Sequence, residues 1–264
     1  MLIITTKTLT HDLKQLGVHA GQTLLVHTSL KALGGHILGD APAVVDALLE
    51  VITPEGTLVM PTNSTNNTDP STWGSNPFTP EQWEFVRAEM PPYRPEITPS
   101  NRMGVINECF RTYPDVLRSS HPAFSFSAWG KHATFVTANQ ALNNSVAEQS
   151  PIGRVYELDG WVLLLGVGYE HNTSLHLADY RADYPFKKSE ANGSAMLVNG
   201  RRQWVTYHDE AIGMEDFAAI GTSFEQETNE VIAGKVANAT AHLMRQRALV
   251  DYAVHWLETN RAAA

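Results

Sequence analysis

One short stretch constrains the fold more than any other: Trp161-Val162-Leu163-Leu164-Leu165-Gly166-Val167, apolar at every position and uncharged. An amphipathic helix or a half-exposed strand would alternate with polar residues. A run apolar on successive positions and this brief reads as a central strand covered on both faces, as in α/β proteins. Even when extended from Gly160 to Tyr169 it spans ten residues, about half of what a membrane crossing requires.

The flanking sequence supplies the layers. A short helix is expected over His11 to Leu16, capped by Thr10 and ended by Gly17, followed by a β-rich run from Thr23. Asp40-Ala41-Pro42 announces a helix with Val44, Val45, Leu48, Leu49 and Ile52 on one face. Thr53-Pro54-Glu55-Gly56 turns the chain into a strand at Thr57 to Met60. Strand, helix, strand with short turns implies a parallel crossover. Further helices are expected at Glu81 to Met90, Met103 to Tyr113 and Arg245 to Leu257, with a strand over Phe124 to Ala128. Asn199-Gly200, between two β-prone runs, is a hairpin turn. The expectation is an α/β fold whose central mixed sheet, flanked by helices, combines parallel crossovers with that antiparallel hairpin. No linker-like stretch or repeat divides the 264 residues, so a single domain over 1–264 is expected.

Charge and cysteine content narrow the function. With 28 acidic against 19 basic residues the formal charge is −9, which disfavours nucleic acid and favours a cationic small molecule. Cys109 is the single cysteine, so no intrachain disulfide forms. That suits a reducing compartment. The N-terminus lacks the features of a signal peptide, and a cytoplasmic location with no membrane association is expected. There is no P-loop and no Gly-x-Ser-x-Gly elbow, and Gly166-Val167-Gly168 lacks the third glycine of a dinucleotide fingerprint.

Chemistry concentrates after the central strand, in Asn172-Thr173-Ser174-Leu175-His176-Leu177-Ala178-Asp179. Asn172, Thr173 or Ser174 can cap a helix on which His176 and Asp179, three apart, share a face. A carboxylate holding one imidazole nitrogen makes the other more basic, which defines a general base. A second element, Val26-His27-Thr28-Ser29-Leu30-Lys31-Ala32-Leu33-Gly34-Gly35, leads a strand into a turn of small residues whose N–H groups suit a pyrophosphate or a carbonyl. A third, Thr98 to Gly104 with Arg118 to Pro122, places hydroxyls and arginines near a helix start. The same features also occur as ordinary surface pairs, turns and solvated clusters.

In order, VHTSLKALG, PEGTLVMPT, DPSTWGSNP, TPSNRMG, RSSHPAFSFSAWG, EQSPIGR, GWVLLLGVG, NTSLHLAD and ALVDYAVHW span from about His27 to Trp256. Together they resemble the antibiotic N-acetyltransferase family that includes the aminoglycoside 3-N-acetyltransferases. The resemblance implies an α/β fold distinct from the GNAT acetyltransferases and acetyl-coenzyme A as cofactor. It gives His176 the role of general base, with Asp179 where the family more often has glutamate. It makes Ser29, Leu30, Lys31, Ala32, Leu33 and Gly34 the coenzyme A turn, with Arg102, Ser120 and Phe124 as further partners. The loop with Asp69 and Trp73 falls where the family meets its aminoglycoside, and Glu210 joins Asp69 and Asp179 as a candidate ammonium partner. Thr173, or an N–H of the Ser29 turn, is the candidate oxyanion donor. Transfer to the 3-amino group of a 2-deoxystreptamine aminoglycoside is expected, directly and with no metal.

Two other classes fit parts of the pattern. Ser29, His176 and Asp179 in that order could form a hydrolase triad, though the order matches none of the well-known ones. His171, His176, Asp179 and His208 could form a metal site, though His171 and His176 do not share a helical face. An acetyltransferase acting on a different amine is the nearest alternative.

Overall fold

The computed structural model of the chain describes residues 2–185, 187–210 and 213–261. It opens with a two-residue strand, β1 (Ile3–Ile4), and helix α1 (Thr6–Leu16). Thr5 rather than Thr10 caps that helix, its hydroxyl accepting from the Thr8 N–H, and Gly17 ends it in the left-handed region at φ 107°. Then come β2 (Thr23–Thr28), the single turn α2 (Leu30–Leu33), β3 (His36–Ile37), α3 (Asp40–Ile52) and β4 (Thr57–Pro61). Gly39, not Asp40, takes the cap position of α3. Between β4 and the next helix the polar stretch forms 3-10 turns at Thr65–Asn67, Pro70–Thr72 and Pro80–Gln82.

The chain continues through α4 (Trp83–Glu89), α5 (Val105–Arg111), β5 (Leu117–Arg118), β6 (Phe126–Gly130), α6 (Ala133–Thr137) and α7 (Pro151–Glu157). It then forms β7 (Trp161–Leu165), α8 (Ser174–Arg181), β8 (Ser189–Val198) and β9 (Arg201–Glu210). It closes with α9 (Phe217–Glu227), β10 (Val231–Val236), β11 (Ala239–Arg245) and α10 (Gln246–Arg261). Among the described residues no helix is long and apolar enough to cross a membrane.

A seven-stranded sheet in the order β10-β11-β7-β2-β4-β6-β5 forms the centre. β7, β2 and β4 are parallel, and every pairing outside them is antiparallel. The sheet is mixed, as expected, but for a different reason. The Asn-Gly hairpin β8–β9 stands apart as a two-stranded sheet, and β6 and β11 supply the antiparallel pairs beside the parallel core.

Both faces of the centre are covered, which explains the apolar run of β7. Leu24, Val26, Leu163 and Leu165 join one core with residues of α1 and α3, whereas Leu25, Val162 and Leu164 join the other with residues of α8, α9 and α10. Side chains alternate along a strand, so His27 shares the face of Leu25. That is the face on which α8 lies.

Candidate active site

His27 is buried at the carboxyl end of β2 and pairs in register with Leu164 of β7. Its Nε2 meets Thr173 Oγ1, at the head of α8, at 3.3 Å. Burial pushes its pKa down to about 3, helped by the nearby His171 and His176. His176 lies on α8 with its ring edge against Phe217, the first residue of α9, at 4.8 Å between centroids. Its Nδ1 is enclosed and lacks a hydrogen-bond partner. Burial alone lowers its pKa to about 4, so the imidazole is neutral at neutral pH.

This corrects the expected His–Asp dyad. Asp179 is wholly buried, but it accepts from Tyr184 Oη and from Arg261 Nη1 (3.0 Å), not from His176. Its shared helical face with His176 is real, yet the tertiary partners arriving from the loop and from α10 claim the carboxylate. The pKa of His176 therefore moves down rather than up. The hydrolase triad fails with it, because Ser29 Oγ caps α2 by accepting from the Ala32 N–H at 3.4 Å, and Asp179 is engaged elsewhere. The metal set of His171, His176, Asp179 and His208 also fails to assemble. Among the described residues no group of three or more His, Cys, Asp or Glu is placed to hold a metal ion.

Beside His27 the chain continues into a groove of about 610 Å³, lined by Thr28, Ser29, Leu30, Lys31 and Gly34 on one side and by Gly104, Val105 and Ile106 on the other. Gly166 makes the close packing of the turn possible: at φ +73° its hydrogen faces Ala32, and a Cβ there would sit 2.4 Å from Ala32 Cβ. Thr28 Oγ1 donates to Asn107 Oδ1 at 3.0 Å and Asn107 Nδ2 donates to the Pro61 carbonyl at 2.9 Å, which locks α5 to the ends of β2 and β4. The N–H groups of Leu30 and Lys31, in the first turn of α2, have no intrahelical partner.

Not all of the expected turn faces this groove. Leu33 is fully buried in the core and Ala32 packs beneath Gly166, so these two shape the turn from behind. Arg102 is exposed, two residues before Gly104, in the left-handed region at φ 59°. Ser120 is exposed and lines neither the groove nor the cleft described next. Arg118 is bound by the carbonyls of Pro95, Thr98 and Thr62 and by Ser125 Oγ, so it braces the 95–98 segment rather than offering itself to a phosphate. His121 is neutral and structural: its Nδ1 accepts the N–H groups of Ala123 and Phe124, its Nε2 meets the Leu142 carbonyl, and burial lowers its pKa to about 4.

A second cleft, of about 730 Å³, is strongly acidic, with Glu190, Asp209, Glu210, Glu215 and Asp216 against Lys187 and Arg261 in its lining. Phe124, expected beside the cofactor, lines this cleft instead. Glu210 lines this cleft, 3.3 Å from Lys187 Nζ. Asp209 accepts from the Ser145 N–H (2.6 Å) and Tyr180 Oη (3.0 Å), and burial raises its pKa above the ordinary carboxylate value.

Asp69 and Trp73 do not line the cleft; of their loop only Thr72 does. Asp69 takes a two-pronged ion pair from Arg87 at 2.8 and 2.9 Å, and Trp73 packs on Phe78 and donates to Thr68 Oγ1. Both side chains build the loop from within. Sequence reasoning gave no role to His27, Asp209, Asp216, Tyr184 or Arg261. Only His27 carried a usable signal, as a polar residue at an inward position of a core strand.

Each neutral histidine adjoins one of the two clefts through a neighbouring residue. His27 precedes Thr28 of the groove, and Phe217, the ring against His176, follows Asp216 of the acidic cleft. A groove lined by the turn after β2 and a separate acidic cleft are features of an acyltransferase for a small amine. The chain belongs to the aminoglycoside 3-N-acetyltransferase family, whose profile matches residues 25–258.

Among relatives it is 42% identical, over 97% of its length and 93% of theirs, to the SPbeta prophage-derived aminoglycoside N(3')-acetyltransferase-like protein YokD of Bacillus subtilis. It is 34% identical to aminoglycoside N(3)-acetyltransferase III of Pseudomonas aeruginosa, over 92% of its own chain and 90% of the relative. The crystal structure of the Bacillus subtilis protein superposes with TM-score 0.96 at 40% identity, covering 100% and 97% of the two chains. AAC-IIIb in a binary complex with CoASH superposes at 0.88 with 27% identity, covering 100% and 99%. AAC-VIa bound to sisomicin superposes at 0.89 with 27% identity, covering 99% and 100%.

Proposed function

We propose that the protein transfers the acetyl group of acetyl-coenzyme A directly to the 3-amino group of a 2-deoxystreptamine aminoglycoside, with His176 as general base. The carrying observation is the neutral, half-buried His176, whose ring packs on Phe217 next to Asp216 of the acidic cleft and which lies near His27, the residue before Thr28 of the groove. The solved complexes of relatives support the two ligands: AAC-IIIb with CoASH and AAC-VIa with sisomicin.

The residues fit the donor. Ser29, Leu30, Lys31 and Gly34 line a groove that offers the N–H groups of Leu30 and Lys31 and one ammonium, with Asp40 also in its lining, and Arg102 is exposed two residues before Gly104 of that lining. Acetyl-coenzyme A supplies the activated acyl carbon. Glu190 and Glu215 would receive ammonium groups of the acceptor, whereas Glu210 and Asp216 are already engaged by Lys187 and Arg261. His176 takes the proton from the attacking nitrogen through Nε2, because Nδ1 is enclosed, and returns it to the departing sulfur. The Thr173 hydroxyl, held near His27, or the first N–H groups of α2 would meet the developing oxyanion. Burial and the nearby carboxylate of Asp46 raise the Cys109 thiol pKa, which favours direct transfer over an acyl-cysteine.

The test is release of free thiol from acetyl-coenzyme A across a panel of aminoglycosides and simpler amines, with the acetylated nitrogen located by NMR. Turnover with acetylation at the 3-amino group is the expected result. Binding of coenzyme A with no turnover on any aminoglycoside would assign the enzyme to a different amine. No thermal shift at millimolar coenzyme A would remove the acetyltransferase reading altogether; at one hundred times the dissociation constant a shift worth about 2.7 kcal/mol is expected.

A further inference from the structure

Arg261 ends the C-terminal helix α10 and reaches back into the acidic cleft. Its Nη1 donates to Asp179 Oδ1 at 3.0 Å and to Tyr184 Oη at 2.7 Å, and its Nε donates to Asp216 Oδ2 at 2.8 Å. The carbon of the guanidinium also lies 4.8 Å from the centroid of the Tyr184 ring. These partners come from separate segments that meet around His176. Asp179 is on α8, one turn beyond His176; Tyr184 is in the loop after α8; Asp216 precedes Phe217, whose ring packs against His176. One side chain thus grips both supports of His176 without bonding to it.

Docking of α10 does not explain this arrangement. Leu249, Val250, Ala253 and Leu257 already bury the helix against the sheet. A carboxylate as buried as Asp179 gains little net stability from an ion pair compared with an apolar core. What the pair does accomplish is local. It cancels the charge of Asp179 one helical turn from His176 and fixes the angle between α8 and the start of α9.

We propose that Arg261 is a positioning residue for His176: its fork clamps α8, through Asp179, to the Asp216–Phe217 wall on which the imidazole packs, and balances the charge of Asp179. The catalytic consequence rests on the reading of His176 as general base, whereas the clamp itself does not. The groups around His176 are Asp179 on its own helix, His27 from β2, which also has His171 nearby, and Phe217, beside Asp216, from α9. Arg261→Gln strips the counter-charge from Asp179 and Asp216 together. Tyr184 still donates to Asp179. Both carboxylates then favour the imidazolium.

The experiment is an NMR titration of isotope-labelled imidazoles in the full chain, with His176→Gln used to assign the His176 signal, for wild type, Arg261→Gln and Arg261→Lys. The His176 midpoint should rise by roughly half a pH unit or more in Arg261→Gln. Arg261→Lys keeps one charge but cannot span both carboxylates, so it should give a smaller rise and remains informative if the glutamine variant does not fold. On an accepted amine, kcat should fall about tenfold in Arg261→Gln while KM for acetyl-coenzyme A stays within about twofold. An unchanged or lowered His176 midpoint in the folded variants overturns the proposal, whatever happens to kcat. Absence of turnover in the wild type would count against the acetyltransferase reading instead, and the titration would still decide the role of Arg261.

Discussion

At the scale of single residues, the site turns on two histidines kept neutral by burial. His176→Ala should lower kcat by about 10²–10⁴, the usual worth of general-base catalysis, and leave coenzyme A affinity nearly unchanged. Steady-state kinetics with a coenzyme A thermal shift on the same preparation checks both; equal kcat in wild type and variant would place the proton transfer elsewhere. The pH profile carries a second signature. Because the His176 pKa lies near 4, not near neutrality, its own limb falls below the working range. Any rise in rate between pH 6 and 8 should then follow the pKa of the acceptor amine and shift from one aminoglycoside to the next. A limb that stays fixed near neutrality for all acceptors would contradict the low pKa.

At the scale of elements, the turn after β2 depends on a glycine from a different strand. Gly166, past the end of β7, lets Ala32 of α2 approach to a distance that any side chain would block. Gly166→Ala adds a Cβ 2.4 Å from Ala32 Cβ at φ +73°, a position strained for any L-residue. The expected destabilisation is about 1–3 kcal/mol. Since α2 would have to give way, KM for acetyl-coenzyme A should rise more than kcat falls. A variant with wild-type KM and melting temperature would show that the turn tolerates the displacement. The loop of Asp69 and Trp73 teaches a related lesson: its conspicuous residues are spent on its own 3-10 turn and on Arg87, and the neighbouring Thr72 faces the cleft.

At the scale of the whole molecule, three neutral histidines, two of them buried and His176 half-buried, couple stability to acid. His27, His121 and His176 have folded pKa values of about 3, 4 and 4, all below the ordinary value of 6.5. The unfolded chain therefore binds protons first as pH falls. Stability from these groups is complete above about pH 6.5 and is lost progressively toward pH 4, in total on the order of several kcal/mol. Melting temperature measured across that window should fall steeply, and His121→Gln should flatten the slope provided the variant folds. The acidic cleft is a second collective property. The KM for an aminoglycoside should rise with ionic strength as the exposed carboxylates are screened, whereas an uncharged amine acceptor should show little change.

Sequence alone determined the parts governed by local chemistry. The apolar run of β7, the Asn199-Gly200 hairpin, the Gly17 stop and the helix carrying His176 all follow from periodicity, caps and turns acting over a few residues. The order of nine short segments was enough to place the chain in its family. The partners of each polar group were decided only by the tertiary structure. Spacing put Asp179 on the face of His176, but Arg261 arrives from 82 residues away and Tyr184 from the following loop, and they bind the carboxylate first. The hairpin was legible, yet its separation from the central sheet was not, because strand pairing is set by long-range packing. His27 was in plain view in VHTSL and became part of the site only when parallel pairing of β2 with β7 brought its inward face beneath α8.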